Sequence, residues 1–131
     1  MSKKYKPILC LDFDGVLHSY TSGWRGARNI PDAPVNGAID FIETMLHKGW
    51  DVVIHSSRSR HFGGIRAMRA WLKHHSGNSW NETMHGPGIE DVRFVWFKPA
   101  ALVTIDDRAL TFTGVWPSQE ELRSFKPWNK K

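Results

Sequence analysis

The segment Ile8-Leu9-Cys10-Leu11 runs without a polar residue and then ends at Asp12-Phe13-Asp14-Gly15. An unbroken apolar run of this length predicts a strand buried on both faces, the kind found inside a parallel sheet. Val52-Val53-Ile54 repeats the pattern and ends at His55-Ser56-Ser57-Arg58, and Ala101–Ile105 repeats it before Asp106-Asp107. Val92–Phe97 predicts a further strand, broken by Lys98-Pro99. Between these runs, Val35, Ala38, Ile39, Ile42, Met45 and Leu46 recur at helical spacing up to Gly49. Ile65, Met68, Trp71, Leu72 and His75 mark a second helix. The order strand, loop, helix, strand, helix, strand, strand predicts a three-layer, Rossmann-like α/β fold around a mainly parallel sheet.

The remaining segments read as connections. Residues 18–34 carry Gly23, Gly26, Pro31 and Pro34 with few aliphatics, which predicts a loop or flap. Residues 76–88 are polar and glycine-bearing and predict another loop. Ala109–Phe112 and Val115-Trp116 around Gly114 suggest a small hairpin. Ser118 and Glu121 stand at capping-box spacing, so a helix is expected to start there and to end by Pro127.

Charge needs to be located before it is used. The formal net is +5, from 18 Lys and Arg against 13 Asp and Glu. Six of those bases, Lys3, Lys4, Lys6, Lys126, Lys130 and Lys131, sit in two tails without an acid, leaving 12 bases against 13 acids in the body. A uniformly basic nucleic-acid-binding domain is therefore excluded. The single Cys10 excludes an internal disulfide framework and a multi-cysteine zinc site. His74-His75 and His85 have no soft partner nearby in the chain, which argues against zinc there. No stretch approaches the roughly 20 apolar residues of a membrane span, and no signal-like apolar region follows the first lysines. The expectation is one soluble domain over residues 1–131 in a reducing, cytoplasmic compartment, without a membrane partner.

The polar clusters all fall where predicted strands end, which is where parallel sheets build their sites. Asp12, Asp14, Asp106 and Asp107 brought together would repel unless a cation sits among them. Mg²⁺ favours a few carboxylates plus water and phosphate oxygens. An Asp can attack phosphorus to give an aspartyl-phosphate, and a second Asp two residues on can act as general acid and base. Ser56 can hydrogen-bond a phosphoryl oxygen, and Lys98 can neutralise the transferring group. Arg25 and Arg28 in the flap, and Ser57 and Arg58 after Ser56, are candidates to border the site and bind substrate, as is His18. Trp24 could stack on a base or close over the substrate.

Asp12-Phe13-Asp14-Gly15-Val16-Leu17 resembles the D-x-D-G-x-[TV]-L signature of the haloacid dehalogenase (HAD) superfamily, whose members are mostly Mg²⁺-dependent phosphatases. Ser56, Lys98 and Asp106-Asp107 resemble its later motifs, in the same order. The resemblance implies Asp12 as nucleophile and Asp14 as general acid/base, with Ser56 and Lys98 on the phosphoryl group. It implies Mg²⁺ held by the Asp12 side chain, the Asp14 carbonyl and one or both of Asp106 and Asp107. Asp14 also favours phosphatase over dehalogenase chemistry, since the dehalogenases lack that second Asp. Residues 18–34 leave room for a short flap and no large cap domain, so a compact, capless member is expected. Substrates consistent with this are a small phosphorylated compound, a nucleotide or a nucleic-acid end. Two other classes compete. A receiver-like phosphoacceptor domain would carry its acidic pair early and its phosphorylated Asp mid-chain, the reverse of the order here. A non-catalytic nucleic-acid-binding module would rest on the lysine tails and the tryptophans.

Overall fold

A computed structural model describes residues 5–77 and 88–130. Four short strands, β1 (Ile8–Leu11), β2 (Asp51–His55), β3 (Arg93–Val95) and β4 (Val103–Ile105), form one sheet in the order β3-β2-β1-β4. Every pairing is parallel, as the unbroken apolar runs require. Helix α1 (Ala38–His47) joins β1 to β2, and α2 (Gly64–Ser76) joins β2 to β3. A short helix, α3 (Gln119–Arg123), follows β4.

Register decides which side chains share a face. Leu9 pairs with Val52 and Leu11 with Ile54, and these four belong to the cluster that packs with Ile42 and Leu46 of α1 and with Met68 and Leu72 of α2. Helix α1 packs on β2 and on α2, so both helices cover one face of the sheet. Cys10 and Val53 point to the other face and are also buried. The β3-to-β4 connection runs from one edge strand of the sheet to the other. A right-handed crossover in that direction must pass opposite the helices. This link, residues 96–102, has no helix. Lys98 within it lies in electrostatic reach of Cys10. Among the described residues, then, the connection from which a third layer is expected carries no helix.

The capping expectation agrees with the structure: the Ser118 hydroxyl accepts from the Glu121 backbone N–H at 3.1 Å at the start of α3. The expected hairpin does not form, since residues 109–116 are neither strand nor bridge. Leu110, Phe112, Val115 and Trp116 remain exposed, so the segment lacks a face to pack on, and an isolated two-stranded hairpin is marginal in water. Val92–Phe97 and Ala101–Ile105 yield strands shorter than expected, because each is an edge strand paired on one side only. The polar segment 76–88 and His85 lie largely outside the described residues, as do Lys3, Lys4 and Lys131.

The burial pattern sets where the structure is vulnerable. Ile42→Ala, at a fully buried position between α1 and the sheet, should cost about 2–5 kcal/mol in chemical denaturation. Leu122→Ala, on the exposed face of α3, should cost less than about 1 kcal/mol in the same experiment.

Candidate functional site

The strand order reverses direction between β1 and β4, which places a topological switch point at their carboxyl ends. Leu11 pairs with Ile105, so the next residues, Asp12 and Asp106, emerge side by side. The Asp12 backbone N–H donates to the Ile105 carbonyl at 3.0 Å and extends the pairing one step further. Carboxylate oxygens of Asp12, Asp106 and Asp107 consequently lie within 4.8 Å of one another. Gly15 permits this approach: its φ is +84°, and a Cβ there would collide with the Asp107 carboxylate.

Electrostatics at this cluster follow from crowding. Burial raises the Asp12 pKa from 3.8 to about 8, reinforced by a hydrogen bond with Asp107 and by the charges of Asp106 and Asp107. Two carboxyl groups sharing a proton is the expected response to like charges at close range. Asp107 Oδ1 is nevertheless buried without a hydrogen-bond partner. Three oxygen ligands, one of them unsatisfied, fit a hard divalent cation better than any soft metal. The cation would be held by Asp12, Asp106 and Asp107. Asp106 Oδ1 also accepts from the Arg108 backbone N–H at 2.9 Å, which fixes its rotamer.

Asp14 occupies the opposite environment. Its carboxylate meets His18 and Arg58. Burial pushes its pKa up, but hydrogen bonds from His18 and Arg58 and the Arg58 charge outweigh that and hold it below the usual carboxylate value. Arg58 Nε donates to both carboxylate oxygens, at 2.9 and 3.1 Å. His18 Nδ1 lies 2.9 Å from Asp14 Oδ1, while the Asp32 backbone N–H donates to His18 Nε2 at 3.1 Å. The imidazole proton therefore sits on Nδ1 and is donated to Asp14.

Two of the expected substrate-binding residues take other roles. Arg58 has no solvent exposure. Its NH1 group donates to the carbonyls of Gly26 and Ala27, both at 2.9 Å, and of Asn29 at 3.3 Å, so the guanidinium pins the flap instead of meeting a substrate. His18 is equally buried and bridges Asp14 to Asp32, where a substrate cannot reach it. Trp24 is half exposed on the flap, with the Arg58 guanidinium carbon 4.8 Å from its ring centroid. Arg25 is exposed and its Nε donates to the Ser22 carbonyl. Arg28 is exposed and lies along Gly63.

Ser56 is buried at the end of β2, and its hydroxyl oxygen accepts from the Arg58 backbone N–H at 3.1 Å. That bond caps the 3-10 turn Ser57–Arg60 and leaves the hydroxyl proton to be donated elsewhere. Ser57 is exposed. Lys98 is exposed and forms no ion pair with the triad. The structure thus joins Asp12, Asp106 and Asp107, sets Asp14 and Ser56 at the same end of the sheet, and leaves Lys98 without an ion pair to the triad.

Three residues here were not legible as site residues. Trp128, in the tail, donates from Nε1 to the Gly15 carbonyl at 2.8 Å, and Asn129 Nδ2 approaches the Ser19 carbonyl at 3.5 Å. Tyr20 has a left-handed backbone, with φ 62°, and lies in electrostatic reach of Asp14, Arg58, Arg108 and Asp107. A non-glycine residue in that region is a flag only backbone coordinates raise. No family model, curated protein or solved structure matches this chain in comparisons with known proteins.

Two outcomes are expected. Arg58→Gln removes the charge partner of a carboxylate whose side chain is only 14% exposed, and should cost about 3–5 kcal/mol in denaturation at pH 7. For Asp12 the folded-state pKa exceeds the unfolded one, so the folded chain keeps a proton that the unfolded chain has lost. This contribution makes metal-free stability fall as pH rises from 3.8 toward about 8. Asp12→Asn should flatten that slope, and denaturation midpoints across the interval will show it.

Proposed function

We propose that the chain is a Mg²⁺-dependent phosphomonoester hydrolase with a compact, capless HAD-like core, working through an aspartyl-phosphate on Asp12. The observation that carries this reading is the triad at the switch point: three carboxylates within 4.8 Å, with a buried Asp107 oxygen that no protein group satisfies. Support also comes from the sheet order and from Ser56 at the neighbouring strand end. No helix among the described residues is long and apolar enough to cross a membrane. A cytoplasmic location fits the single buried Cys10.

In this reading an Asp12 carboxylate oxygen attacks phosphorus as the ester P–O bond breaks, and the leaving oxygen takes up a proton. Water then attacks the phospho-aspartate, giving its proton to a base, and phosphate departs with Asp12 regenerated. A bound Mg²⁺ would offset the carboxylate and phosphoryl charges. Asp12 must be ionised to attack, so its proton has to leave the shared site before turnover. The Ser56 hydroxyl donates a hydrogen bond to a phosphoryl oxygen.

The environment of Asp14 divides its two duties unequally. Arg58 and His18 stabilise its carboxylate form, which suits accepting a proton from water and opposes donating one to a leaving group. Esters whose leaving groups need no protonation are therefore favoured. In Mg²⁺, aryl phosphates should turn over faster than alkyl phosphates by about 10² in kcat, the scale of one general-acid contribution. Asp12→Asn should lower turnover of 4-nitrophenyl phosphate to background, and wild-type rates in that variant would sink the proposal. Isothermal titration of the metal-free protein should show Mg²⁺ affinity rising with pH up to about 8, because binding displaces the Asp12 proton.

A further inference from the structure

A cleft that begins at Arg108, whose backbone binds the triad's Asp106, plays no part in the phosphoryl chemistry described above. It has a volume of about 940 Å³ and is lined by Arg108, Leu110, Phe112, Trp116, Leu122 and Phe125, among others. That is the size of a small-molecule site. Its walls are mainly apolar, with Thr111, Thr113, Glu121 and Arg108, the residue that follows the acidic pair, as the polar members. The backbone of Arg108 is tied to the Asp106 carboxylate. Arg108 lines the cleft, and its charge reaches Tyr20, which also feels Asp14 and Asp107. The cleft therefore pairs a cation, on the residue tied to Asp106, with a mainly apolar body.

Two rings in that body are placed for stacking. Phe112 and Trp116 have centroids 4.7 Å apart and planes inclined at 42°, and they are 57% and 82% exposed. Exposing this much aromatic surface costs solvation free energy, and such patches mark sites of contact. A flat π-system can stack on the solvent-exposed face of either ring, and Arg108 suits the phosphate end of the same molecule.

Resting on the phosphatase reading above, we infer that this cleft is the leaving-group subsite, and that it takes the planar aromatic part of a phosphomonoester whose phosphate lies at the triad. A nucleobase and a simple aryl group share that chemistry, and the experiment separates them. A protein partner seated on the same apolar wall is the competing occupant.

The test compares ligands that differ only in the ring. Ribose 5-phosphate and a nucleoside 5′-monophosphate have the same primary-alcohol leaving group, so a difference between them reports the base. Calorimetric titration of both into the Asp12→Asn variant with Mg²⁺ reads binding whether or not the protein hydrolyses either. Phenyl phosphate against methyl phosphate gives the aryl arm. At least one planar ligand should bind about tenfold more tightly than its ring-free counterpart, through KM in the active protein. The preference should collapse toward unity when Trp116→Ala is added, and persist with Trp96→Ala, an exposed tryptophan outside the cleft. Preference for the nucleotide alone assigns the subsite to a base, and for phenyl phosphate alone to an aryl group. Equal affinities within both pairs overturn the inference. So does a Trp116→Ala variant that keeps its preference but changes oligomeric state in size-exclusion chromatography. Absence of hydrolysis of every substrate, with the binding preference intact, would overturn the phosphatase reading and leave the subsite standing.

Discussion

A guanidinium with no contact with solvent organises this end of the molecule. Burying Arg58 costs several kcal/mol in lost hydration, and the site is built to offset that cost. Asp14 supplies the countercharge, three flap carbonyls take NH1, and Trp24 lies over the charged plane. Three stretches far apart in sequence thereby become one unit: the turn after β1, the flap and the turn after β2. The NH2 group of Arg58 is buried without a partner, so the arrangement is not fully satisfied. Such strain is tolerable when removing the charge would undo all three segments together. Trp71 adds a second tether to the flap, donating from Nε1 to the Asp32 carbonyl at 3.1 Å. With both ends also held by backbone bonds, the flap is a fixed wall in this structure.

The same turn gives two aspartates opposite electrostatic fates. Asp12 stands among like charges at the switch point and is driven toward the protonated form. Asp14 stands between a guanidinium and an imidazole and is held as the carboxylate. Phe13 keeps them apart: it is fully buried, edge-on to Trp71 at 5.1 Å, and anchors the turn in the core. A pair of acids whose environments push their affinities for protons apart is the usual arrangement for dividing nucleophile from base. The division here follows from which neighbours each carboxylate finds, not from any difference between the residues themselves.

How much of this could be read from the chain depends on whether a feature is local. The strands announced themselves through unbroken apolar runs, and α1 and α2 through spacing, because burial on two faces or one stripe leaves a one-dimensional trace. Their polar ends then located the acidic triad, since parallel strands put their carboxyl ends together. Arg58 and His18 defeated the same reasoning. A basic residue beside a phosphate motif looks like an anion ligand, and nothing local reveals that its guanidinium turns inward to meet Asp14 from 44 residues away. Hairpin propensity around Gly114 likewise could not show that residues 109–116 have no sheet face to pack on.

The exposed apolar surface after β4 and the return of the tail belong to one constraint. With β4 at the sheet edge and no helix in the described link between β3 and β4, the chain beyond Ile105 has little core to join. It still closes on the site, because Trp128 donates to the Gly15 carbonyl while more than half of its surface stays in solvent. That one bond ties the last described turn to the glycine that lets Asp107 approach Asp12.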